Sequence, residues 1–134
     1  MPVPFLACMA LAAQIYALPP RVLPAIQAVE GGAPGLVHLN TDGSEDLGIM
    51  QINTLWIPRL AAYTKLDRAT VRNRLLHHAC FNIAAAALIM RTYLDEANGD
   101  LLRAVGYYHS HTPALHAAYK TKVLSSATRL FATR

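Results

Sequence analysis

No run of about 20 uninterrupted apolar residues occurs in this chain, which argues against a membrane-spanning helix and against stable membrane insertion. Dense basic runs are missing as well. Twelve Lys and Arg outnumber eight Asp and Glu, and the isoelectric point is near 9.3. The cations are scattered singly without interleaved aromatics, so a nucleic-acid partner is not expected. An excess of positive charge also suits anionic lipid or the acidic bacterial wall. Charged residues are only 15% of the chain and apolar ones 54%, which excludes a disordered polymer and calls for a sizeable core. No internal repeat, low-complexity tract or linker divides the 134 residues, so 1–134 is expected to be one domain. Runs of β-branched residues are scarce and alanine is plentiful, favouring helix. Two cysteines are too few for a disulfide scaffold; Cys8 and Cys80 fit either inert buried thiols or one long-range bridge, and their spacing does not choose.

Phe5 to Ala13 is apolar enough for the core of a secretion signal, but the first basic residue is Arg21. The segment therefore reads as a buried first helix of an exported chain whose leader is absent here. That helix spans Phe5 to Leu18 and stops at Pro19-Pro20. Arg21 to Glu30 is a second, with Val22, Ile26 and Val29 on one face, closed by Gly31-Gly32 and Pro34-Gly35. A loop with at most a short irregular hairpin near Leu36 to Leu39 follows, and Asp46 suits the N-cap of a short helix through Asn53. Further helices are expected from Leu55 to Tyr63, after an Asp67 cap to His77, from Cys80 to Ala97, after an Asp100 cap to Tyr108, and from Thr112-Pro113 to Phe131. The expected fold is all-α, or α+β with a minimal hairpin: a compact orthogonal helical bundle.

The eight carboxylates can be weighed one by one. Asp67 and Asp100 are caps. Asp95 and Glu96 lie on a polar helix end, and Asp42 and Glu45 in a wet glycine-rich loop. Glu30 is oddly placed, because a negative charge at a helix C-terminus is disfavoured by about 0.3–1 kcal/mol. With apolar Ala28 and Val29 before it, a cleft wall would strip it of water. Both effects favour the protonated form that a general acid needs.

The blocks Ala28-Val29-Glu30-Gly31-Gly32, Asn40 through Asn53, Cys80-Phe81-Asn82-Ile83, Ala104-Val105-Gly106-Tyr107-Tyr108-His109-Ser110 and Tyr119 to Val123 together resemble the small lytic transglycosylases of the lysozyme-like superfamily. The resemblance is greatest to those that accompany secretion, conjugation and pilus machines. It implies that Glu30 is the catalytic acid and base. It implies that Gly48, Met50 and Gln51, in the block Gly48-Ile49-Met50-Gln51, serve the sugar together with Ser44, and that Tyr108 and His109 border the acid. It also favours a Cys8–Cys80 disulfide. The chain departs from the family pattern at Gly31, where a serine is usual, and at His109, where an asparagine is. The implied substrate is peptidoglycan, cut between N-acetylmuramic acid and N-acetylglucosamine with a 1,6-anhydromuramyl product. The implied setting is the periplasm or another exported location. The protein is expected to be monomeric, to need no cofactor, and to be open to a secretion or pilus component as partner.

Two alternatives remain open. The Asn40-Thr41-Asp42-Gly43-Ser44 string also resembles chicken-type lysozymes, so Asp46 would be a second carboxylate in a hydrolytic muramidase. A non-catalytic glycan-binding or structural component is the next. A metal site at His77-His78 or His109-Ser110-His111 has no distinctive spacing and is not expected. Trp56 reads as core rather than as a sugar-stacking platform.

Overall fold

The computed structural model describes residues 3–110 and 112–131. Among these, the helices are α1 (Leu6–Ile15), α2 (Val22–Glu30), α3 (Ile57–Thr64), α4 (Arg68–His77), α5 (Ala79–Glu96), α6 (Leu101–His109) and α7 (Pro113–Leu130). Asp67 and Asp100 cap α4 and α6 through backbone amides of Thr70 and Arg103, at 2.7 and 3.1 Å. α5 is the central rod, packed against α1, α2, α4 and α6. Its small residues Ala85, Ala86 and Ala87 are buried beside Ile83, Ile89 and Met90, letting neighbouring helices approach closely. No helix among the described residues is long and apolar enough to cross a membrane.

Three expectations need correction. Residues 46–53 are not a helix capped by Asp46. They form the second and third strands of a small antiparallel sheet, β1 (Val37–Leu39), β2 (Glu45–Leu47) and β3 (Ile52–Asn53), with the 48–51 turn between the last two. Asp46 stands opposite His38 on one side and Asn53 on the other. Ladder pairing on both edges of β2 outweighs the local capping preference. Glu45 is accordingly no loop acid but a β2 residue, held at 2.8 Å by Arg72 of α4. Finally, α1 is not buried all round: Met9, Ala12 and Ala13 face the core, while Leu11 and Ile15 are 58% and 65% exposed. Cys8 and Cys80 form a disulfide that pins α1 to the start of α5.

The sheet is moored to the bundle by one buried side chain. Asn82 of α5 donates to the carbonyl oxygens of Leu47 and Leu75, both at 2.8 Å, and accepts from the Met50 amide at 3.0 Å. Gly48 sits directly against this knot with φ of 73°; a Cβ there would strike the Leu75 carbonyl oxygen and lie 2.6 Å from Asn82 Nδ2.

Asn82→Ala would strand three buried backbone groups and is expected to cost at least about 3 kcal/mol, read as a lower denaturant midpoint. Reducing the Cys8–Cys80 bridge should lower the same midpoint by the equivalent of about 2–4 kcal/mol, since it closes a long loop in the unfolded chain.

Candidate active site

The main cavity, about 500 Å³, is an open cleft between the sheet side and the α6 side of the molecule. Glu30 reaches it from the last residue of α2, half-buried. Its position is fixed two residues later. Gly32 lies against the 48–51 turn so closely that a Cβ would collide with the Gly48 carbonyl oxygen and come within 2.6 Å of that of Ile49. The acid and the turn are thereby held side by side.

Tyr119, a buried residue of α7, donates a 2.6 Å hydrogen bond to Glu30 Oε2. Burial holds the Glu30 carboxyl above the ordinary glutamate range; the Tyr119 hydrogen bond pulls it back by favouring the carboxylate, and the Asp46 charge adds a smaller upward push. Burial and the Glu30 charge raise Tyr119 itself far above the usual tyrosine range, so it stays a donor at any relevant pH. Tyr108 is likewise raised by burial first and Glu30 second, and its hydroxyl donates to the Met50 carbonyl at 3.2 Å. The His109 ring stacks on Tyr119 at 4.8 Å and 8°, and Tyr108 flanks the same ring at 6.4 Å and 17°.

The opposite wall is a polar knot built on the sheet. Ser44 Oγ donates to Asp42 at 2.6 Å and accepts from Asn40 and Asn53 at 3.1 and 3.0 Å. Those bonds from the Ser44 hydroxyl, then from its amide, lower the Asp42 carboxyl below its ordinary range. Asn53 also donates to Asp46 Oδ1 at 2.9 Å, and His38 Nδ1 lies 3.8 Å from Asp46 Oδ2. Gln51, at φ of 53°, folds its amide onto the Gly48 carbonyl at 3.0 Å.

Of the residues singled out from the sequence, Glu30, Ser44, Asp46, Gln51, Tyr108 and His109 all line this cleft. Gly48 and Met50 do not: the Met50 side chain is fully buried, and Gly48 acts through backbone packing. Trp56 packs against the core, as expected, and its partly exposed side also lines the cleft, edge-on to Tyr93 at 5.8 Å with the Arg59 guanidinium 4.7 Å over its ring. Tyr119 was missed as a site residue. Its signal was the spacing of Tyr119, Val123 and Ser126, which places a polar-tipped ring on the buried face of α7. Among the described residues no three His, Cys, Asp or Glu side chains are grouped to hold a metal ion; His111 lies outside them.

Residues 7–125 match the model of the transglycosylase SLT domain family. Proteins named IpgF from Shigella flexneri and Shigella sonnei are each 31% identical over 106 residues, which is 78% of this chain and 66% of theirs. The chain thus spans just under two thirds of the length of the curated relatives it matches.

The Glu30 titration, followed by carboxyl carbon NMR, should respond in opposite directions to its two neighbours. Tyr119→Phe removes a donor to the charged form and should raise the Glu30 pKa. Asp46→Asn removes a like charge and should lower it.

Proposed function

The chain belongs to the transglycosylase SLT domain family, whose members are lytic transglycosylases acting on peptidoglycan, and from that premise we propose that it cuts glycan strands between N-acetylmuramic acid and N-acetylglucosamine through Glu30. The observation that carries this is a half-buried glutamic acid, hydrogen-bonded by Tyr119 and opening onto a polar cleft, whose carboxyl pKa is raised by burial above the ordinary glutamate range. Glu30 protonates the glycosidic oxygen. The substrate's acetamido group supports the cationic centre that develops. Glu30, now a carboxylate, takes the proton from the muramyl 6-hydroxyl, whose oxygen closes the 1,6-anhydro ring. No water is consumed.

The Tyr119 hydroxyl suits both halves of this cycle. It holds one oxygen of the acid fixed while the other faces substrate, and it stabilises the carboxylate that the first step leaves behind. On the cleft walls, Gln51 keeps an amide N–H and its carbonyl oxygen for hydroxyls and acetamides, while Ser44 and Asn53, whose donors are spent on Asp42, Asp46 and each other, fix the shape of the wall. Trp56 offers an apolar face to a sugar ring. Tyr108 braces the turn that carries Gln51.

A second reading keeps a specific observation in its favour. Asp46 lines the same cleft and acts electrostatically on Glu30, so a retaining hydrolase with Asp46 as its second carboxylate fits the same walls. The single-acid route is preferred because Asp46 is already engaged by Asn53 and stands across from His38. A glycan-binding protein without catalysis would leave the raised proton affinity of Glu30 without a use. We read residues 1–134 as one domain, monomeric, periplasmic or otherwise exported. Its resemblance to secretion- and conjugation-associated transglycosylases supports a task at such an apparatus, opening the wall locally.

Purified cell wall digested by the protein should release muropeptides lighter by one water than their hydrolytic counterparts. Glu30→Gln should lower the rate by about a hundredfold or more, and Asp46→Asn should keep most of it. Hydrated products, together with loss of activity on Asp46→Asn, would establish the lysozyme mechanism instead.

A further inference from the structure

A second, smaller pocket of about 260 Å³ lies behind Glu30, walled by Val29, His109, Leu115, Ala118, Tyr119 and Lys122. It shares Glu30 and His109 with the main cleft, so a group seated in it hangs within a sugar's reach of the reacting bond. Its walls differ in character from those of the cleft. The cleft carries amides, hydroxyls and carboxylates. The pocket is lined by apolar Val29, Leu115 and Ala118 and by the cation Lys122.

The charge is a property of the whole wall. All eight carboxylates of the chain fall between Glu30 and Asp100; from Leu101 onward there are five Lys and Arg and no acid. Beyond the Asp100 cap of α6, helices α6 and α7 therefore present positive charge with no acid along their length. Lys122 is exposed and forms no ion pair among the described residues. The acid beside it, Glu30, is already engaged by Tyr119.

We propose that this pocket seats the acidic, alanine-rich peptide stem carried by the muramyl residue next to the scissile bond, with Lys122 meeting a stem carboxylate. The inference rests on the reading of the main cleft as a peptidoglycan site. A bare sugar needs hydrogen-bonding groups on several sides and finds them in the cleft. A short peptide with methyl side chains and carboxylates matches an apolar lining that includes one cation. His109, standing where both cavities meet and stacked on the ring that holds Glu30, marks the point where the stem would leave the glycan.

The test compares glycan strands bearing their stems with the same strands stripped by an amidase. Lys122→Glu should raise KM on stem-bearing strands about fivefold at low salt, leave kcat unchanged, and leave stripped strands unaffected; Lys122→Arg should behave as wild type. Equal effects on both substrates, or none on either, would overturn the proposal. Binding of both strand types to Glu30→Gln protein, with and without Lys122→Glu, separates this inference from the enzymatic one. Stem-dependent binding that falls with Lys122→Glu, in a wild type that cuts neither substrate, would remove the transglycosylase reading and keep the pocket.

Discussion

The close approach of the backbone at Gly32 to the 48–51 turn is the constraint on which the rest of the molecule depends. There is no room for a side chain at that point. Because the contact is backbone against backbone, the end of α2 cannot drift from the sheet without a gap opening. Glu30, two residues earlier, inherits that precision. The turn is fixed in its turn by Asn82, which gathers Leu47, Met50 and Leu75 into one buried hydrogen-bonded knot. A central helix, a sheet edge and an acid are thus placed by two glycines and one asparagine, not by apolar packing alone.

On this frame the electrostatics of the acid are a contest between three neighbours. Burial discourages the carboxylate, Tyr119 encourages it, and Asp46 discourages it again from the far wall. Burial wins, so Glu30 holds its proton more tightly than an exposed glutamate would. The hydrogen bond from Tyr119 keeps the deprotonated form accessible. A group meant to donate and then reclaim a proton needs both states within reach, and a buried acid without such a partner would be locked in one.

Segregation of charge extends the same economy to the surface. The carboxylates are gathered on the sheet and its loop, at the end of α2, at the end of α5 and at the caps of α4 and α6, and along the length of α6 and α7 the charges are cations alone. A substrate that is neutral along its sugar chain and acidic along its side branches would meet different walls with different parts of itself.

Helix positions, both aspartate caps, the interest of Glu30 and the family were legible along the chain, because periodicity, capping and motif spacing act over a few residues. Asp46 was misjudged because β2 is made by partners on both sides, His38 and Asn53, which no local preference reports. Trp56 does pack against the core, but its apolar neighbourhood in sequence does not say that its remaining face opens onto the cleft. Tyr119 lies 89 residues from the carboxylate it holds. The sequence by itself determined which acid could matter and which helices would form; the tertiary structure alone decided what surrounds that acid, because desolvation and hydrogen bonding are set by whatever the fold brings within a few ångströms.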